Sequence, residues 1–147
     1  MAALKSYVVG FAFDETESRL ALMLKARPDW QRGRLNGVGG HIEETESPLE
    51  AMIREWDEET NAIEVNWTLF TRLHGNGFEV WFFRGNTELD HIESQSDGEE
   101  IIVVSPEDLP SNILPNLYWL VPMARSICGH DWPFDIKERI QETPNEG

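Results

Sequence analysis

Apolar positions in the first half of the chain come in short β-branched and aromatic bursts, and then switch to a helical period. The run "SYVVGFAFD" (6–14) ends in the polar turn "DETES", and "RLALMLKA" (19–26) follows; together they predict a β-hairpin. Residues 27–40, "RPDWQRGRLNGVGG", have the Pro and Gly density of a long loop, extended over Leu35 to Val38. Loops of that length are often functional. The period changes at Ser47, where Ser47 as N-cap, Pro48 at the first helical position and Glu50 three residues after the serine predict a helix over 48–60. At 100° per residue Leu49, Met52, Ile53, Trp56 and Thr60 share its apolar stripe.

Further along, "NWTLFTRLHG" and "FEVWFFRGN" joined at "GNG" predict a second hairpin, and "EEIIVVSPEDLP" a strand turning into an acidic loop. A second helix is expected over 114–129, with Pro122 near its start or kinking it. One short helix is expected after Phe134, before a frayed tail from about residue 142. Strands and helices mix without βαβ alternation or internal repeat. The expected class is therefore α+β, a mixed sheet flanked by helices.

The 147 residues, 40% hydrophobic and 10% aromatic, suit one folded domain. Twelve Lys and Arg against 27 Asp and Glu give a net charge of −15, which argues against polymeric nucleic acid or an anionic membrane as partner. A small phosphorylated ligand stays compatible, because divalent cations bridge carboxylates to phosphates. Cys128 is the only cysteine, which leaves no intrachain disulfide and no Cys cluster for zinc. With no leader pattern and no membrane-length apolar span, the expected location is cytoplasmic.

Composition leaves one local oddity, the crowding of Glu55, Glu58 and Glu59 beside the apolar stripe. Like charges at these spacings cost roughly 0.2–0.5 kcal/mol per pair, about 1 kcal/mol for two or three pairs. A divalent metal removes that cost, and oxygen ligands without His or Cys suit Mg2+, or Mn2+ as a substitute. A solvated acidic face with Arg54 paired to Glu50 and Glu58 one turn away explains the same spacing.

The intervals between Gly40, Glu46, Arg54, Glu55, Glu58 and Glu59 resemble the Nudix box. Two positions depart from it: Trp56 stands at an aliphatic position, and Asn61 replaces the closing glycine, where asparagine suits a left-handed helix stop. The flanks, a hairpin before and "VVSPEDLP" before a last helix, are also similar to that family. The resemblance implies a Nudix fold over 1–147, a mixed β-sheet sandwiched between α-helices, acting on a nucleoside diphosphate linked to a further moiety. It implies that Glu55, Glu58 and Glu59, with the backbone at Gly40, hold Mg2+ (Mn2+ possible as replacement), that Arg54 orients them, and that Glu46 supports the loop–helix junction. Gly39 and Gly40 let backbone approach the metal–phosphate complex. The proton acceptor is Glu58, or Glu99 or Glu100 at the entry to "IIVV", the latter two reading equally as a charged strand edge.

"GRLNGVGGHIE" resembles the base-contacting segment of oxidised-purine nucleoside triphosphatases, with Asn36 at the contact. Asn36 reads equally as a turn residue beside Gly37. "LPNLYWLVP" resembles their later purine-pocket segment, but Asn116 and Leu117 replace its acidic pair, and Tyr118 and Trp119 read either as pocket or as core. His41, where many relatives have lysine, is a phosphate contact or a loop residue. The implied substrate is a small-molecule nucleotide: a nucleoside triphosphate, oxidised purine included, cleaved to monophosphate and pyrophosphate by a monomer or homodimer. ADP-ribose or a dinucleotide is the rival, disfavoured because no proline lies between Ile63 and Ser105. A non-catalytic nucleotide-binding module would typically lack box glutamates, and a calcium loop is not supplied by "DETESR" or "SDGEE".

Overall fold

The computed structural model describes residues 4–95, 99–126 and 132–137. Its strands are β1 (Lys5–Phe13), β2 (Leu20–Leu24), β3 (Leu35–Asn36), β4 (Val38–His41), β5 (Thr68–Gly75), β6 (Phe78–Asn86), β7 (Glu100–Val104) and β8 (Phe134–Lys137). The helices are α1 (Pro48–Glu59) and α2 (Leu117–Ala124). The eight strands form one mixed sheet whose main path runs β3-β2-β1-β6-β5-β8.

Strand β1 organises the sheet. On one edge it pairs parallel with β6 over its whole length, from Lys5↔Phe78 to Phe13↔Asn86. On the other edge it pairs with β2 only at Ala12↔Ala21 and Phe13↔Leu20, after which β4 takes over from Gly10↔Val38 to Tyr7↔His41. Both hairpins read from the sequence form, β1–β2 and β5–β6. The extended stretch around Leu35 to Val38 resolves into β3 and β4.

Side-chain alternation gives the sheet two apolar faces. Phe11, Phe13, Leu20 and Leu22 meet Leu117, Leu120, Val121 and Ala124 of α2. Val8, Ala12, Ala21 and Met23 meet Ala51, Met52 and Trp56 of α1. One helix covers each face, which is the expected sandwich.

Helix α1 starts as read. The Ser47 hydroxyl accepts from Glu50 N–H at 3.1 Å and Glu50 accepts from Ser47 N–H at 2.9 Å, a complete capping box. Its buried face differs from the predicted stripe. Leu49 and Ile53 are exposed, and the helix packs through Ala51, Met52, Glu55 and Trp56. Packing against β4 and β1 rotates the helix so that one glutamate enters the helix–sheet junction. Trp56 fits its departure from an aliphatic residue by donating to the Ile63 carbonyl at 2.7 Å and meeting Trp67 edge-on.

Asn61 is not the left-handed stop. The helix ends at Thr60, which is extended, and the left-handed residue is Ala62 (φ 57°). Asn61 instead donates to the His91 carbonyl and accepts from Glu93 N–H, pinning the following loop. Helix α2 is shorter than predicted and carries Pro122 inside, so neither end is set by the proline. Phe134–Lys137, expected to precede or enter a helix, is a strand parallel to β5, while 138–147 and Cys128 lie outside the described residues.

Candidate active site

The β1–β4 ladder brings "GGH" against the middle of β1, and α1 packs over it. A Cβ on Gly39 would overlap the Val8 carbonyl oxygen, and one on Gly40 would stand 2.5 Å from Glu55 Oε1. Backbone and carboxylate can be this close only because neither glycine carries a side chain.

Arg54 is the hub of the carboxylates. It donates in bidentate fashion to Glu46, from Nε and Nη2 at 2.7 Å each, and from Nη2 to the His41 carbonyl at 2.9 Å. Nη1 reaches Glu55 Oε1 at 2.9 Å and both Glu58 oxygens at 3.4 Å. One planar cation thus ties the loop, the strand and the helix. Hydrogen bonds from Arg54 and the Glu43 N–H hold the Glu46 carboxyl down at about 2. Burial acts oppositely on Glu55, only 9% exposed, and raises its carboxyl; Arg54 opposes that rise, and the Glu58 and Glu59 charges add to it.

A cleft of about 1350 Å³ opens beside this cluster. Gly39, Gly40, His41, Arg54, Glu55 and Glu59 line it, as do Asn36 and Asn116. Glu58 does not, and its side chain is 56% exposed. Glu99 and Glu100, paired in the sequence reading, separate because they point to opposite sides of the chain. Glu99 is buried on the cleft, accepting from Ala26 N–H at 3.0 Å and paired with Lys25 at 3.2 Å, whereas Glu100 is exposed and away from it.

The two asparagines also differ. Asn36 Oδ1 accepts from Gly37 N–H at 2.8 Å and its amide donates to Gln31, so its side chain is used in shaping the turn. Asn116 Oδ1 is buried and has no hydrogen-bond partner. Trp119 lines the cleft and is 41% exposed, while Tyr118 faces outward at 56%; neither belongs to the core. The His41 ring lies 4.6 Å from Tyr7. Sequence reading missed Trp30, an exposed cleft-lining aromatic whose signal was its place in a polar, Gly-containing loop, and Lys25, whose pairing with Glu99 spans 74 positions.

Among the described residues no three carboxylate, His or Cys side chains converge closely enough to enclose a metal ion; the carboxylates converge on Arg54. The donors nevertheless fit a hard divalent cation. Glu55, Glu59 and the Gly40 backbone offer oxygen to one cleft, and the missing Cβ of Gly40 keeps the space beside Glu55 open.

A mixed sheet between two helices, with an acidic helix laid over a glycine-bearing strand, is the Nudix architecture. The NUDIX domain profile matches residues 4–122, and the chain belongs to that family. It is an enzyme of the family's pyrophosphohydrolase class. Members act on nucleoside diphosphate-linked substrates and generally use divalent metal ions.

Among solved structures, a NUDIX hydrolase from Nitrosomonas europaea is 19% identical, with 94% of this chain and 81% of that chain covered and a TM-score of 0.70. A MutT chain from structural work on the enzymes of Aliivibrio salmonicida and Vibrio cholerae is 23% identical, with 85% of this chain and 97% of that chain covered and a TM-score of 0.67. A MutT protein from Bacillus halodurans is 18% identical, covering 91% and 90%, with a TM-score of 0.69. These likenesses are likenesses of fold. No curated protein matches the chain significantly. No helix among the described residues is long and apolar enough to cross a membrane.

Proposed function

We propose that this enzyme hydrolyses a nucleoside triphosphate to the monophosphate and pyrophosphate, using Mg2+ or, in its place, Mn2+. The observation that carries the reading is that one cleft is lined both by Glu55, Glu59 and Gly40 and by Asn116, whose buried carboxamide oxygen lacks a partner. The first group suits a metal–diphosphate, and the second a donor on a nucleobase edge. The MutT proteins of similar fold agree with it.

A divalent ion held by Glu55 and Glu59, with the Gly40 backbone, would polarise the diphosphate oxygens and acidify the attacking water. Arg54 keeps Glu55 oriented toward the cleft by its 2.9 Å bond. The water oxygen forms a new P–O bond, the anhydride P–O bond breaks, and the leaving pyrophosphate takes the electron pair. The water's proton passes to a carboxylate. Glu99 suits that role better than Glu58 or Glu100, since it lines the cleft and is held there by Lys25 at 3.2 Å and the Ala26 N–H at 3.0 Å. Glu99→Gln is expected to lower kcat roughly 10²–10⁴-fold; near-normal turnover would return the role to Glu58.

Incubation with a panel of nucleoside triphosphates and Mg2+, with the products identified, tests the substrate. Pyrophosphate and monophosphate are expected, and no turnover of any triphosphate would reject the reading. A second reading, a dinucleotide or ADP-ribose, is favoured by the cleft volume of about 1350 Å³, which exceeds the usual ~300–1,000 Å³ of ligand pockets. Two monophosphate products from such a compound would establish it.

A further inference from the structure

Away from the carboxylate cluster, a second group of charged residues is almost entirely buried. Glu17 is 2% exposed and Arg84 6%, and they form an ion pair between the β1–β2 turn and β6. Glu17 accepts as well from Ser126 N–H at 2.9 Å, the Ser126 hydroxyl at 2.6 Å and the Asn86 amide at 3.1 Å. Burial alone would raise the Glu17 carboxyl, but Ser126, Asn86 and Arg84 outweigh it and hold it low.

Within the sheet, Arg84 Nη1 donates to Asn86 Oδ1 at 2.8 Å and the Asn86 amide reaches the Asp14 carbonyl at 3.0 Å; the group's other bonds go to the C-terminal end of α2. Arg84 Nε donates to the Ala124 carbonyl at 2.8 Å, and Arg125 donates to the Glu17 carbonyl at 3.2 Å. Trp132, whose ring lies against the Arg84 guanidinium, donates to the Met123 carbonyl at 2.8 Å. Glu17 itself sits in the left-handed region (φ 57°), a conformation costly for a residue with a Cβ. The strain persists where it delivers a carboxylate to Arg84 and Ser126.

Helix α2 needs such a restraint. It has eight residues, contains Pro122 and lacks a side-chain cap bond at Asn116. Its buried stripe of Leu117, Leu120, Val121 and Ala124 attracts the sheet without fixing rotation, because apolar burial is non-directional. Its approach is tied to β3 where Leu114 N–H donates to the Leu35 carbonyl at 2.9 Å, and its far end is tied to the Glu17–Arg84 group. Stability alone does not call for the pair, since buried ion pairs are often replaceable by apolar residues at no loss.

We propose that the Glu17–Arg84 pair is a positioning device for nucleobase selection: by holding the C-terminal turn of α2 it sets how Asn116 and Trp119 face the cleft. Neither Glu17 nor Arg84 lines that cleft. The inference rests on the proposed role of the cleft in binding a nucleotide.

The test compares wild type, Glu17→Gln and the milder Ser126→Ala, each alone and combined with Asn116→Ala/Trp119→Ala, using KM and kcat for a panel of nucleoside triphosphates with Mg2+. Each single variant is expected to raise KM for the preferred base by roughly 2- to 30-fold, with a smaller change in kcat. In the Asn116→Ala/Trp119→Ala background the same substitutions are expected to add nothing further. Unchanged base preference, or an equal KM increase in both backgrounds, would overturn the positioning role. If Glu17→Gln does not fold, Ser126→Ala decides by the same criteria. If Asn116→Ala/Trp119→Ala by itself leaves base preference unchanged, the nucleotide reading of α2 fails first, and the two failures are told apart.

Discussion

Gly40 lies against the Glu55 carboxylate so closely that a Cβ on the glycine would stand 2.5 Å from Oε1 and 2.6 Å from the carboxyl carbon. The glycine is therefore matched to a side chain fifteen residues later, on a different element.

Gly40→Ala should push Glu55 off its position. A misplacement of about 1 Å at a reacting centre costs on the order of 100-fold, and that fall in kcat/KM is expected. Overpacking should also cost about 1–3 kcal/mol of stability. Steady-state kinetics with thermal melts check both; an active Gly40→Ala enzyme would show that Glu55 does not act from this position.

Arg54→Lys tests the hub geometry. Lysine keeps the charge but cannot hold both Glu46 oxygens, the His41 carbonyl and Glu55 at once. Residues that orient metal ligands typically cost ~10–100-fold when changed, and a loss of that size in kcat/KM is expected. Retention of full activity would make Arg54 a charge-neutralising residue only.

Acid stability should depend on Glu46. Its folded carboxyl lies at about 2 against an ordinary 4.5, so its contribution is whole above about pH 4.5 and is lost as pH falls toward about 2. Glu17, also held low, adds loss in the same direction. Melting curves of metal-free protein should show the Tm gap between wild type and Glu46→Gln closing across that interval. A gap independent of pH would contradict the lowered carboxyl.

The asparagines should separate base selection from loop shape. Asn116→Ala removes an unpartnered buried acceptor and should reduce discrimination between bases by about 1–3 kcal/mol. Asn36→Ala removes the bonds to Gly37 and Gln31 and should lower kcat/KM for all bases alike. A base-dependent loss at Asn36 would restore it as the contact.

Much of this was legible locally. Ser47, Pro48 and Glu50 define the start of α1 through bonds within four residues, and the "GNG" turn and the alternation of β1 and β2 need no distant partner. The six spaced positions from Gly40 to Glu59 likewise carry the family in a single segment. What needed tertiary structure is what depends on orientation. The rotation of α1, which buries Glu55 and exposes Leu49, Ile53 and Glu58, is set by packing on β4 and β1. The parity of β7, which turns Glu99 inward and Glu100 outward, follows from its pairing with β2. The parallel β1–β6 pairing and the burial of Glu17 under Arg84 join residues about 70 positions apart, and periodicity within one segment holds no information on which distant segment will neutralise a charge.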